Sequence, residues 1–167
     1  ERADLKYNQR NADIFTPMLK LFSSEYANQI AYDCIQVHGG SGFMKEYTCE
    51  RLYRDARILT IYEGTSQLQV VAAIRGIGNG SYLKRIEELD AMEIKPELEG
   101  LRNQLRNMTE EYKKIFEIVS AFGSTSEIYD FHSRRMVESV GYIVMGYLLL
   151  LDASRCERYQ RSCEIMI

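Results

Sequence analysis

The chain has 167 residues, 46% of them apolar, and a formal charge of -3 at pH 7. That size and composition allow one domain, or two small helical units sharing a core, and exclude global disorder. The slight acidity leaves no basic footprint for nucleic acid, and the four cysteines (Cys34, Cys49, Cys156, Cys163) form no C-x-x-C pair.

With only two histidines beside those cysteines, the expectation is reduced cytosolic thiols and no metal site. Only two prolines occur, Pro17 and Pro96, and sustained apolar–polar alternation is missing, which favours an all-α fold. The chain opens at Glu1 in helix-like sequence, so a piece of a longer polypeptide is expected.

In "FTPMLKLFSSEYANQIAYDCIQVHGG", Thr16 can cap a helix and Pro17 suits its first position, where a missing N–H is harmless. Phe15, Leu19, Phe22, Tyr26, Ile30, Cys34 and Val37 then recur every three or four residues as one apolar stripe. Gly39-Gly40 ends the helix, because glycine accepts the left-handed conformation of a C-terminal cap. "SGFMKEY" reads as a loop. Thr48 caps a shorter helix from about Cys49 to Leu59, with Leu52, Tyr53, Ala56 and Leu59 facing inward. A third helix starts near Gly64 or Thr65 and runs to "GIGNG". The glycines of that segment place a boundary between residues 1–80 and 81–167.

Beyond it, Leu101, Leu105, Met108, Tyr112, Ile115, Val119 and Phe122 form a heptad seam on a long helix beginning near Pro96. Gly123 closes it, and "STSE" reads as a capping box with Ser124 at the cap. Val137, Val140, Val144, Tyr147 and Leu151 stripe the next helix, where Gly141 and Gly146 allow close approach of a neighbour. The short link between the two helices requires an antiparallel hairpin. The apolar run Val140–Leu151 is twelve residues long. A bilayer needs about twenty, so a buried helix is expected and no transmembrane segment.

Glu63 is the residue that most resembles a site. It follows an apolar run and precedes Gly64 and Thr65, where a helix begins. An acidic residue near a helix N-terminus is ordinary, since the backbone dipole favours negative charge there. The other reading is chemical. Ile61 and Tyr62 would form an apolar wall that makes the carboxylate a stronger base, and the nearby amides suit an anion or a developing oxyanion. "QVHGGSGF" is likewise either a cap and turn or a backbone able to approach a pyrophosphate, and His38 alone reads as a surface or capping residue. The "RLYRDAR" charges read as helix-surface ion pairs.

Taken together, "QVHGGSGF" and "ERLYRDARILTIYEGTSQLQ" resemble the C-terminal helical domain of the acyl-CoA dehydrogenases, over roughly Ala12 to Ile77. The resemblance implies a helical bundle and oxidation of an acyl-CoA thioester to the trans-2-enoyl-CoA with FAD. Glu63 matches the catalytic base, with its backbone N–H holding the thioester carbonyl, and Gly64 lies beside the substrate. Thr65 and Gln67 match positions that contact FAD. Gln36, His38, Gly39 and Gly40 match the segment that contacts the adenosine end of an FAD held by a neighbouring subunit. An electron-accepting flavoprotein partner, a dimer or tetramer, and a cytoplasmic setting complete that expectation. The second half is similar to the extra helical region of longer members, of the methylmercaptopropionyl-CoA and very-long-chain type, and shows no catalytic constellation. An acyl-CoA oxidase and a non-catalytic helical interaction module remain as alternatives.

Overall fold

The first helix, α1, runs from Arg2 to His38 in a computed structural model that describes residues 2–167. It does not begin at Thr16: Pro17 lies inside it. An interior proline costs about 3 kcal/mol through a lost hydrogen bond and a clash with the preceding turn. Packing offsets that cost, because Pro17 is buried together with Ile14, Met18 and Leu21. Each large apolar side chain removed from water contributes about 1.5–3 kcal/mol. The expected stripe is therefore not the inward face. Leu19, Ile30 and Val37 are 72%, 67% and 86% exposed, and only Phe15 and Phe22 rest against the core edge.

Gly39 ends α1 with φ +58°, as expected, and a 3-10 turn follows at Gly39–Phe43. Helix α2 spans Thr48–Ala56 and passes into another 3-10 turn at Arg57–Thr60. Tyr47 holds its cap position rather than Thr48, and Cys49 and Ala56 face inward while Leu52 and Tyr53 stay exposed. This helix flanks the outer half of α1, tied there by Asn28 Nδ2, which donates to Ser24 O and Ala56 O.

Helix α3, Ser66–Ile77, starts where the sequence places it. Thr65 is the cap and its Oγ1 accepts from the Leu68 N–H at 3.4 Å. Val70, Ala73, Ile74 and Ile77 turn onto α1. A Cβ at Gly76 would come within 2.5 Å of Ile14 Cγ1, so the two helices meet because this residue has no side chain.

Periodicity did not single out α4, Ser81–Asp90, which follows Gly80 and buries Tyr82, Ile86 and Leu89. A 3-10 turn at Pro96–Leu98 then leads into α5, Glu99–Ser120. Three of the seven residues of its expected seam are buried: Leu105, Tyr112 and Val119, at intervals of seven. Met108, Ile115 and Phe122 are 39%, 53% and 55% exposed, because α5 packs along one edge only.

Helix α6, Glu127–Arg155, is capped by Ser126, whose Oγ accepts from the Tyr129 N–H at 3.1 Å, and not by Ser124. Its stripe of Val137, Val140, Val144, Tyr147 and Leu151 is buried as expected. Leu105, early in α5, lies against Gly146, late in α6, and the Lys95 N–H donates to Ser154 Oγ at 2.9 Å. The two helices are thus antiparallel. Phe22 of α1 occupies the space over Gly141, so the hairpin and the first three helices share one core. By length and composition α6 could cross a membrane, but most of its apolar window is buried against this bundle. The short α7, Gln160–Met166, returns along α6 and buries Cys163. No strand occurs among the described residues, so the fold is all-α.

Polar contacts fix α4 against the hairpin. Asp90 accepts from Arg106 Nε at 2.9 Å and from the Tyr147 hydroxyl at 3.1 Å. Arg102 donates to Asp90 O and Met92 O, capping the α4 end.

Two outcomes follow from this packing. Gly141→Leu should destabilise the protein by about 1–3 kcal/mol or more, as overpacking of a core does. The urea midpoint measures it, and probes in both halves should shift together. The second concerns alkaline pH. Burial pushes the Tyr82 phenol up to about 12 and raises that of Tyr112 as well. Unfolded phenols titrate near 10, so the unfolded chain releases protons first and stability falls as pH rises from about 10 towards 12. Denaturant melts across that range should show the fall, with Tyr82→Phe flattening it.

Candidate functional site

The chain crosses from the Arg57–Thr60 turn to α3 through Ile61, Tyr62, Glu63 and Gly64. Among the described residues Glu63 is the one non-glycine with positive φ, +51°, and Gly64 follows at +93°. The left-handed conformation costs an L-residue about 1–2 kcal/mol, so neighbouring groups must impose it. Two side chains do. Lys20 of α1 donates from Nζ to Leu59 O at 2.7 Å and to Gly64 O at 2.9 Å. Its ammonium also lies 5.5 Å from the centre of the Tyr62 ring. Gln69 of α3 donates from Nε2 to Glu63 O at 3.1 Å and to Gly64 O at 3.2 Å.

The clamp needs glycine at position 64. A Cβ there would lie 2.8 Å from Gln69 Nε2, in a backbone conformation that L side chains rarely adopt. With the carbonyls of Glu63 and Gly64 drawn inward, the Glu63 carboxylate is exposed and neither it nor the Glu63 N–H has a partner among the described residues. Ile61 and Tyr62 are 47% and 46% exposed, so they flank the carboxylate without enclosing it.

Thr65 and Gln67 open onto a groove of about 620 Å³ between α1, the Arg57–Thr60 turn and α3. Ser66 lines it too, and its Oγ is buried without a hydrogen-bond partner. The Ser66 and Gln67 amides belong to the first helical turn, which has no intrahelical acceptors to offer them. Arg57 stands at the rim and donates to Thr60 Oγ1 rather than pairing with an acid. Backbone amides, hydroxyls and a guanidinium form a donor set that suits an anionic, polyhydroxylated ligand, and a nucleotide cofactor meets that description. Arg134 of α6 also lines the groove, so the second half contributes to a site that sequence alone left to the first.

Gln36 lies elsewhere, in a neighbouring groove that shares the Tyr32 and Tyr53 walls. His38, Gly39 and Gly40 stand at the exposed end of α1, where Gly39 and Gly40 have open space around them. The expected cofactor residues therefore fall in two places. Sequence reasoning missed Lys20 and Gln69. One signal was available: a single cation inside the apolar stretch "TPMLKLF".

A family model described as "Acyl-CoA dehydrogenase C terminal" matches residues 78–167, more than half of the chain. Another, "Acyl-CoA dehydrogenase, C-terminal domain", matches residues 1–78. The caffeyl-CoA reductase–Etf complex subunit CarC of Acetobacterium woodii is 51% identical over 67 residues, 40% of this chain and 18% of that protein. Cyclohexane-1-carbonyl-CoA dehydrogenase of Geobacter metallireducens is 45% identical over 78 residues, 46% of this chain and 20% of that one. Among solved structures, Caenorhabditis elegans ACDH-11 in complex with C11-CoA superposes with a TM-score of 0.77 at 25% identity, over 96% of this chain and 28% of that one. The chain thus spans a fifth or less of the length of these curated relatives. On the two family matches, which together run the length of the sequence, the chain belongs to the acyl-CoA dehydrogenase family.

Proposed function

We propose that this chain is the C-terminal part of an FAD-dependent acyl-CoA dehydrogenase in which Glu63 is the base that removes the α-proton of an acyl-CoA thioester. The observation that carries the reading is the enforced left-handed conformation at Glu63, with carboxylate and N–H both free. Backbone strain held by dedicated contacts points to a working residue. In this reading the Glu63 N–H donates to the thioester carbonyl oxygen, which draws charge from the α-carbon. The carboxylate then takes the α-proton, and Gly64 leaves the substrate room to approach. When bound, FAD supplies the acceptor for the hydride that leaves the β-carbon. Thr65, Ser66 and Gln67 would hold that cofactor along the first groove, while Gln36, Gly39, Gly40 and the backbone of His38 would meet the one carried by a second copy.

The names of relatives support the partners. One belongs to a reductase–Etf complex, and the solved neighbour holds C11-CoA. An acyl-CoA substrate and an electron-accepting flavoprotein are therefore part of the proposal. So is a dimer or tetramer, supported by the exposed apolar stripe of Leu19, Ile30 and Val37 on α1. The cytoplasmic setting, and a division into units at 1–80 and 81–167, belong to the same reading.

In the full-length enzyme, Glu63→Gln should slow α-proton abstraction by roughly a hundred- to ten-thousand-fold, the usual general-base contribution. The amide keeps size and polarity, so a product analogue should bind as before. Stopped-flow flavin bleaching run beside an analogue titration tests it, and bleaching within tenfold of the unaltered enzyme would return Glu63 to a helix-start residue. Lys20→Met should relax the loop rather than remove the base. A misplacement of about 1 Å costs about a hundredfold, so kcat should fall by roughly ten- to a hundredfold with FAD content unchanged. An unaltered kcat would show that Gln69 alone holds the loop.

A further inference from the structure

The far end of α1 carries a cluster that the Glu63 loop does not use. Cys34 and His38 are four residues apart and so lie on one face of the last turns. The chain then doubles back. Gly42 is pressed onto the helix so closely that a Cβ there would lie 2.8 Å from Ile35 O and 2.9 Å from His38 Cβ. Two successive turns, closed by the Met44 N–H on Ser41 O and the Tyr47 N–H on Met44 O, deliver the start of α2 to the same place. Cys49, on its first turn, donates from Sγ to Gly42 O at 3.4 Å. The two sulfurs and a ring nitrogen of His38 all fall within 4.8 Å of one another.

We propose that Cys34, His38 and Cys49 form a binding site for a thiophilic divalent cation, zinc being the best fit. Two thiolates and an imidazole are the ligand set that zinc prefers, and carboxylate-seeking cations do not. The geometry is close to what the ion needs. With zinc–sulfur bonds of about 2.3 Å and zinc–nitrogen bonds of about 2.0 Å, tetrahedral edges run to roughly 3.5–3.8 Å. Cys34 Sγ stands 3.9 Å from His38 Nδ1, which donates to Cys34 O at 2.8 Å and gives up that bond when the ring turns to the ion. The remaining approach falls to the exposed His38 and the half-buried Cys34, because Cys49 is buried. Cys49 thus forms the floor and His38 the mouth, and water takes the fourth position on the open side. A bound ion would cross-link the end of α1 to the start of α2 and fix the turn between them, Gly39–Tyr47. The absence of a C-x-x-C pair hid this set, since its two cysteines are fifteen residues apart and meet only through the turn.

The test uses the purified protein, fully reduced with a phosphine, loaded with zinc or cobalt(II) and dialysed. We expect one zinc per chain above the Cys34→Ser/Cys49→Ser variant by elemental analysis. The cobalt form should show thiolate charge-transfer absorption and the visible ligand-field bands of a tetrahedral site. Cys34→Ser alone, at a half-buried position, should keep the fold by circular dichroism. It should weaken cobalt binding by more than the roughly 10- to 100-fold that loss of an outer-shell partner costs. Cys156→Ser, a substitution at an exposed cysteine, should leave binding unchanged. Cobalt bands that persist in the double variant, or that the unaltered reduced protein lacks, would overturn the proposal. So would a Cys34–Cys49 disulfide that survives reduction and keeps the metal out.

Discussion

Two close contacts hold α1 in place, and much of the rest depends on them. Gly76 of α3 meets Ile14, and Gly141 of α6 meets Phe22, eight residues further along the same helix. Any side chain at either glycine would push α1 outward. Interiors pack at crystal-like density, so such a shift would propagate rather than be absorbed. Between these contacts lies Lys20, which must reach carbonyls at Leu59 and Gly64. Asn28, two turns on, reaches Ala56. The helix thus acts as a rail from which polar side chains set the loops beside it.

The energetics of the Glu63 turn follow from that placement. Its strain is about 1–2 kcal/mol. A hydrogen bond from a charged donor contributes about 1.5–3 kcal/mol, and a neutral one nearer 1. Lys20 makes two of the first kind and Gln69 two of the second, so the clamp exceeds the strain comfortably. The Lys20 ammonium loses some water in reaching the carbonyls, and they and the Tyr62 ring replace it. Both clamp residues act on carbonyl groups, which leaves the Glu63 carboxylate and N–H at liberty. A turn held by its own side chains could not do this. Local strain at Glu63 is therefore a product of tertiary packing between α1 and α3.

What the sequence revealed divides along the same line. Features set by neighbours in the chain were legible: Gly39 ending α1, the start of α3 near Thr65, and the α6 stripe with its glycine gaps. Features set by competition were not. Helix α1 carries two apolar stripes, and only packing on α3 decides that Ile14, Met18 and Leu21 go inward. Pro17 looked like a start because its own cost was visible and the burial that offsets it was not. Ser126 caps α6 instead of Ser124 because both hydroxyls are chemically able and register decides. The Lys20 and Gln69 clamps, and the meeting of Cys34, His38 and Cys49, depend on separations that no local pattern encodes.

The C-terminal half is more than a cover for the core. Arg134 of α6 lines the groove that Thr65 and Gln67 open onto, and it sits 3.5 Å from Glu25 of α1. An exposed pair of this kind adds at most about 1 kcal/mol, so it cannot be what docks α6. Apolar contact does that: Phe22 over Gly141, with Tyr142 edge-on to the Phe22 ring at 5.3 Å. Tyr26 and Tyr142 then join hydroxyls at 3.2 Å on the outer side. Arg134 also pairs with Glu138 of its own helix, Nε donating to Oε1 at 2.8 Å, so two carboxylates hold the guanidinium at the groove wall. A helix that reads in isolation as pure packing therefore brings a carboxylate-paired arginine to the groove wall, and the two halves of the chain line one surface.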